Sequence, residues 1–541
     1  MSDSSTVRGA DLVARALSAA GVKTIFSLSG NQIMPVYDAL HDSGIRIVHV
    51  RHEGAAVYMA EGYAQATGQI GVALLTAGPG FANGLSAMYS AKCSETPILV
   101  LSGDAPAGQA GKGAFQELAQ SDAAGPLCKA SLTGKSAQGL QDEIIDAIEQ
   151  AQSGRPGPVH FALPFDLVNQ SVTAPADGAS GGFVSESPSA SELAPIVAAL
   201  AGAKRPIIIA GPVFCRPDAA RLVGDLESAT GVPVVTIESP RGLRDPRLGA
   251  FAEVLSEADF VLALGKPFDF LVGFGKSPAM SESCRIAQID IDAGLLARDK
   301  AAFGARMVAS LEVEPRAAAE SLAEATKPST ATAWRDEVKA AIAHRPASWG
   351  DIKASIGPLH PVVVGRIVKE LLARHPETAL VIDGGEFGQW AQACVDAPTR
   401  IINGPSGAIG AGIAYAIAAK AADTSRPVVA LMGDGTAGFY FMEFETALRE
   451  NLPFIAIIGN DARWNAEHQI QLRDYGPNRT FACELLPVRY DLVAQGIGCH
   501  GEHVKTASEL AGALERALAS GKPACINVDL DGLAAPVVKR S

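Results

Sequence analysis

Four things are scarce or missing in this 541-residue chain, and each removes a class of function. No apolar run reaches the roughly 20 residues that cross a bilayer, so no helical membrane span is expected. There is no surplus of positive charge. A formal net charge of −13 argues against a sequence-independent nucleic-acid surface or an anionic-membrane surface. There is no CxxC pair: the eight cysteines are scattered, and they read as reduced, mostly buried small hydrophobes rather than a disulfide frame or zinc site. Residues Met1 to Val22 lack the layout of a signal peptide, and a cytoplasmic location is expected. What remains is the balance of an ordinary globular protein, 48% hydrophobic and 19% charged, on a chain long enough for about three domains.

The most informative stretch runs from Leu431 to Asn465. An apolar strand (Pro427 to Met432) stops at Gly433-Asp434-Gly435, where glycines allow a sharp turn and close approach to a ligand. An amphipathic helix is predicted next, with Phe441, Phe444, Ala447 and Leu448 near helical spacing, and then a second strand (Phe454 to Ile458) ending at Gly459-Asn460-Asp461. Strand, helix and strand of this length make one right-handed βαβ unit of a parallel sheet. Its two strands would end side by side, bringing the carboxylates of Asp434 and Asp461 to the crevice where α/β sheets bind ligands. Two carboxylates and a main-chain carbonyl make half of an octahedral Mg²⁺ shell, which phosphate oxygens and water typically complete. The Gly-rich turn at a helix start offers N–H groups to a phosphate.

This pattern resembles the thiamin diphosphate enzymes of the acetolactate synthase, benzaldehyde lyase and 2-hydroxyacyl-CoA lyase group. Their metal motif is GDG, a βα unit and then Asn-Asn. The resemblance implies that Asp434 and Asp461 bind Mg²⁺ through side chains and Arg463 through its carbonyl, with Gly433, Gly435, Thr436 and Asn460 beside the diphosphate. Asp461 stands where the family has its second Asn; it can still ligate a hard cation, with one more negative charge facing the diphosphate.

Earlier in the chain, RHEGAAVYMAEGYAQATG followed by GVALLTAGPGFANGLSAM is similar to the family's pyrimidine-domain signature. The resemblance implies that Glu53 hydrogen-bonds N1′ of the thiamin pyrimidine. Protonation there favours the imino tautomer, whose nitrogen removes the thiazolium C2 proton, and the ring then stores a carbanion. Read without the family, Glu53 is a first-turn helix carboxylate favoured by the helix dipole. Gln116 matches a family glutamine that faces the substrate. Ser29 falls where benzaldehyde lyase carries a histidine, so its substrate preference does not transfer directly. In the last third, Gly384-Gly385-Glu386-Phe387 matches a turn at the diphosphate, and in the Asn403 to Gly410 turn Gly407 and Ala408 lead to Ile409, the match to the apolar residue wedged under thiamin. Trp464, Glu467 and His468 are predicted to start a helix roofing the cofactor, with His468 a candidate proton relay.

The domains are expected at 1–175 (pyrimidine-binding), 190–342 (central) and 358–541 (diphosphate- and Mg-binding), each a doubly wound α/β parallel sheet, with a Gly/Ser/Ala/Pro-rich linker from Thr173 to Ala190. In relatives the central domain holds FAD or ADP or is vacant. Lys266-Pro267-Phe268-Asp269-Phe270 departs from the flavin pattern, so no FAD is expected, while ADP or CoA is left open. The resemblance implies a cofactor bridging two chains, hence a homodimer at minimum and an expected homotetramer. It also implies non-oxidative carbon–carbon lyase or carboligase chemistry on 2-keto acids or 2-hydroxy ketones. The alternatives are a 2-hydroxyacyl-CoA lyase or oxalyl-CoA decarboxylase, whose central domain is similar at Phe268 to Pro278, and a non-catalytic cofactor-binding homologue. Against the former stands the short stretch Leu533 to Ser541, too small to close over CoA; against the latter, intact Glu53, Asp434 and Gly435.

Overall fold

In a computed structural model the described residues are 6–174, 186–326, 332–353 and 357–540, so most of the Thr173 to Ala190 linker lies outside them. Three parallel sheets form, as the alternation of apolar runs and amphipathic helices predicts. The first contains β2 (Thr24–Ser27), β3 (Arg46–His49), β4 (Gly71–Leu75), β5 (Ile98–Asp104), β6 (Ala130–Thr133) and β7 (Pro158–Pro164). It is closed off by an antiparallel pair, β1 (Thr6–Arg8) with β8 (Ser171–Thr173). The central sheet contains β9 (Pro206–Ala210), β10 (Val234–Thr236), β11 (Phe260–Leu264), β12 (Arg285–Asp290) and β13 (Met307–Glu312). The third contains β14 (Ala379–Ile382), β15 (Thr399–Ile402), β16 (Val428–Gly433), β17 (Ile455–Asn460), β18 (His500–Val504) and β19 (Ala524–Asp529).

The first sheet is ordered β3-β2-β4-β5-β7-β6 and the third β15-β14-β16-β17-β19-β18, the same path through space. The central sheet, β10-β9-β11-β12-β13, also reverses direction beside its first strand. Such a reversal leaves a crevice at the carboxyl ends of the strands on either side of it. In the third sheet that crevice opens between the ends of β14 and β16. Gly433 pairs with Gly459 in the β16–β17 register, so Asp434 and Asp461 leave the sheet together at this end.

One apolar core is continuous from the first domain into the third. The helix Glu53–Thr67 is buried through its first three turns, because Gly54, Ala55, Ala56 and Ala60 allow close packing. It lies against the helix Gly412–Ala422, whose Tyr415 is fully buried and donates its OH to Glu61 at 2.8 Å. Two sequence expectations need correction. The helix predicted after Gly435 is split into a short turn, Asp434–Ala437, and a second helix, Glu443–Arg449, with Phe439 and Met442 exposed between them. The stretch Asn403 to Gly410, whose sequence reads as the opening of a helix, does not start one at once: Gly407 and Gly410 take φ of 69° and 101°, and the helix starts only at Gly412.

Candidate active site

The crevice of the third sheet is a cavity of about 350 Å³, lined by the turns after β14, β16 and β17 and by Pro240 and Arg241 from the central domain. Gly385, Glu386, Gly407, Ile409, Gly433, Asp434, Gly435, Thr436, Asp461, Arg463 and Trp464 all line it. Asp434 is 2% exposed and lies within hydrogen-bonding reach of the Asp461 carboxyl. Burial pushes Asp434 up to about 7, with the Asp461 charge adding to it; burial raises Asp461 to about 6 against the pull of Arg463. A buried carboxylate beside a half-buried one needs a proton or a cation between them. Among the described residues no group of three or more His, Cys, Asp or Glu side chains is arranged to hold a metal. A cation here would therefore complete its shell with main-chain, phosphate or water oxygens, as Mg²⁺ commonly does.

Glycine is required at 435, where a Cβ would sit 2.7 Å from the Trp464 ring. Gly385 has φ of 78°, a conformation that lets the chain turn directly from β14 into the helix Gly385–Cys394. Asp383, fully buried, accepts from the N–H groups of Gly384, Gly410 and Gly412 at 2.7, 3.0 and 2.6 Å, tying two walls of the cavity together. Burial raises its pKa to about 6 despite those three donors.

Three buried polar atoms on the cavity wall have no partner among the described residues: Glu386 Oε2, Gln389 Oε1 and Asn403 Oδ1. Arg241 approaches Glu386 at 3.6 Å, beyond a good hydrogen bond, and burial still raises the Glu386 pKa. Buried polar atoms are normally paired, so this wall fits a polar ligand. Sequence reasoning does not single out Gln389, Asn403, Asp383 or Arg241; only the position of the first three near strand-end turns could flag them.

Some expected residues lie elsewhere. Asn460 does not line the cavity: its amide donates to Val488 O at 2.8 Å and to Asn527 Oδ1 at 3.1 Å, and its Oδ1 accepts from Ala462 N–H at 3.2 Å. It thereby braces the turn at Ala462, whose φ is 54°. Ala408 packs on the shared core, and its N–H donates to Ser406 Oγ. His468 sits beyond the lining residues, its Nδ1 unpartnered among the described residues. Residues 532–540, which take in most of the stretch Leu533 to Ser541 read from the sequence as too short to close over CoA, run beside the site. Gln469 donates to Gly532 O, Asn465 to Leu533 O and Trp390 to Ala534 O, each near 3 Å, before Arg540 pairs with Glu253 and Glu337 of the central domain.

Glu53, Gln116 and Ser29 belong to a second cluster, at the carboxyl ends of β2, β3 and β4. Glu53 is 7% exposed and accepts from Asn83 Nδ2 at 2.9 Å. Gly80 packs within 3.2 Å of its Oε1, measured from where a Cβ would stand. Gln116 takes φ of 59° and lays its carbonyl against Gly78; Ser29 is exposed beside His49. None of the three lines the third-domain cavity of the same chain.

Comparison with known proteins agrees with this two-ended arrangement. Family models for the thiamine pyrophosphate enzymes match in chain order: the N-terminal TPP binding domain at residues 7–123, the central domain at 193–312 and the C-terminal TPP binding domain at 383–528. The acetolactate synthase large subunit IlvG of Mycobacterium tuberculosis is 34% identical over 549 residues, covering 97% of this chain and 96% of the relative. The chain belongs to the thiamine pyrophosphate enzymes. Two further relatives are both 2-hydroxyacyl-CoA lyase 2, from Homo sapiens and Caenorhabditis elegans, each 30% identical with 92% of this chain covered and 85% and 84% of the relative. In this thiamine pyrophosphate enzyme the two cofactor-binding domains are the two whose sheets share one strand order.

Proposed function

We propose that this enzyme makes or breaks a carbon–carbon bond next to a carbonyl without net oxidation, acting on 2-keto acids or 2-hydroxy ketones with thiamin diphosphate and Mg²⁺. The observation that carries this reading is the adjacent Asp434–Asp461 carboxylate pair beside unpartnered polar atoms in the third-sheet crevice. Asp434, Asp461 and the Arg463 carbonyl would hold the cation, and the Gly433 to Thr436 turn would hold the diphosphate. Ile409, packed against Gly384, would support the ring system. When bound, the cofactor supplies a nucleophilic carbon and an electron sink. Glu53 would hold a proton at the pyrimidine N1′, and Trp464 over Gly435 would keep water from the diphosphate end.

Because Glu53 does not line the same chain's cavity, a complete site in this reading takes two copies, and the smallest active unit would be a homodimer. At the end of β12, Arg155 bridges Asp290 to Glu95 of the first domain, beside a space of about 10 Å³ at Gly265; this reading needs no flavin in the central domain and leaves ADP or CoA there open. The 2-hydroxyacyl-CoA lyases among the relatives favour a second reading, cleavage of a 2-hydroxyacyl thioester. Steady-state cleavage of benzoin or acetoin against a 2-hydroxyacyl-CoA separates the two. A much higher kcat/KM on the thioester would replace the first reading with the second.

A further inference from the structure

A second cleft, of about 480 Å³, lies where the connector between the central and third domains crosses the third domain. It shares no lining residue with the cofactor cavity or with the central-sheet crevice. One wall is the helix Pro361–Arg374, on which Val362, Arg366 and Lys369 fall at helical spacing on one face. Another is the end of the helix Gly385–Cys394, packed so close that a Cβ on Gly365 would clash with Cys394. Gln392 lines the cleft from this second helix. It is 1% exposed, and both its amide nitrogen and its amide oxygen lack a partner among the described residues. The Trp349 indole stands on the connector side, held 5.2 Å from Trp390.

The charge of the cleft runs opposite to that of the chain. Arg247, Arg345, Arg366 and Lys369 line it, against the single carboxylate of Asp396, which faces Arg400 at 3.4 Å. The Arg345 guanidinium is held by the carbonyls of Ala393, Ile342, His344 and Arg247 with the Asp245 and Asp396 carboxylates nearby, and Arg247 lies 3.9 Å from Asp245, so the uncompensated charge of the cleft is that of Arg366 and Lys369. Arg366 gives only Nη2 to Trp349 O and Ile352 O, and Lys369 has no ionic partner among the described residues.

We propose that this cleft binds a phosphate monoester with a flat, hydrogen-bonding head, the chemistry of a nucleoside monophosphate. Two long cationic side chains one turn apart match a dianionic phosphate better than a single carboxylate, and guanidinium bonds to phosphate are among the strong ones. An indole face offers stacking to a planar ring. A buried carboxamide with donor and acceptor both free matches the donor–acceptor edge of a base such as adenine, which glutamine pairs with two hydrogen bonds. The volume falls within the range of small-molecule sites.

The test is calorimetry on the full chain saturated with thiamin diphosphate and Mg²⁺, so that the diphosphate site is closed to the probe. Adenosine 5′-phosphate should bind saturably, and adenosine and ribose 5-phosphate should each bind about tenfold or more weakly. The variant R366A/K369A, altered outside the cofactor cavity, should lose about tenfold in adenosine 5′-phosphate affinity while keeping basal ketol turnover; Gln392→Leu should lose a similar factor. No saturable binding at millimolar concentration, equal affinity in wild type and R366A/K369A, or ribose 5-phosphate binding as tightly as the nucleotide would each overturn the proposal.

Discussion

A site shared between two chains makes a complementation experiment quantitative. Take Glu53→Gln and Asp434→Ala, each expected to be nearly inactive as a homodimer because every site carries the lesion. In a mixed dimer one site carries both substitutions and is doubly broken, while the other combines native Glu53 with native Asp434. Random pairing of equal amounts makes half the dimers mixed, so about a quarter of all sites are intact. Glu53 cannot swing into its own chain's cavity instead. The start of its helix is clamped by Glu443 of the third domain, which accepts from Arg51 N–H at 3.0 Å, and the helix is pinned by the Tyr415–Glu61 bond. A neutral hydrogen bond contributes about 0.5–1.5 kcal/mol and one to a charged group about 1.5–3 kcal/mol, so freeing the helix costs several times thermal energy. Co-expressed, differently tagged variants purified through both tags leave only mixed dimers, half of whose sites are intact, and ketol turnover and bound thiamin diphosphate give the readout. Activity no greater than the sum of the two homodimers would refute the shared site.

Three further outcomes follow from named contacts. Glu53→Gln alone should fold normally and lose roughly 10²–10⁴-fold in turnover, and near wild-type rates in the purified protein would remove Glu53 from the chemistry. Asp434→Ala should abolish Mg²⁺-dependent binding of thiamin diphosphate by calorimetry, whereas Asp461→Asn should keep it, because an amide oxygen still ligates the cation and the like-charge pair is relieved; equal damage from both would count against the carboxylate pair as the metal site. Glu61 is fully buried between the first and third domains, and burial lifts its pKa from 4.5 to about 7 despite hydrogen bonds from Tyr415, Ser90 and Gln65. The folded state therefore holds a proton that the unfolded state loses, so stability falls as pH rises from about 4.5 to about 7, by on the order of 3 kcal/mol. Melting curves across that window should show Glu61→Gln lacking this loss, and the same slope in both proteins would refute it.

The parts of the fold legible from sequence are those whose signal is local. Central strands bury both faces, so β9, β11 and β17 read as continuous apolar runs such as Pro206–Ala210 and Phe260–Leu264. The strands without such a reading, β1, β6, β8, β13, β15 and β18, are all sheet edges, and five of them are mostly half-exposed or exposed, so their residues show no such run. At the site, GDG and Asn-Asp are readable because glycine and carboxylate chemistry is tied to a strand end. Asn460 departs from its expected place because its amide is spent on Val488 and Asn527, partners remote in sequence. Gln389 and Asn403 escape sequence reasoning because an unpartnered buried amide is a property of the packed surroundings and leaves no trace in the residue's neighbours along the chain.

Residues 532–540 bear on which carbonyl compound fits. The segment passes along the cofactor cavity, giving carbonyls to Gln469, Asn465 and Trp390, and it then crosses to the central domain, where His344 meets Lys539 O and Arg540 meets Glu253 and Glu337 at 3.0 and 3.3 Å. Each neutral hydrogen bond contributes about 1 kcal/mol and exposed ion pairs less, so the segment is held by several small contacts whose loss together leaves an open form rare. On the proposed reading a ketol would enter without disturbing it, whereas a thioester with a long arm would compete with it for the space between the third and central domains. Deleting residues 536–541 removes the Arg540 pairs but keeps the contacts at Leu533 and Ala534. That truncation should raise kcat/KM on a 2-hydroxyacyl-CoA relative to benzoin, since only the larger substrate gains from a loosened strap. An equal change on both substrates would mean that the segment serves stability alone and that substrate size is selected elsewhere.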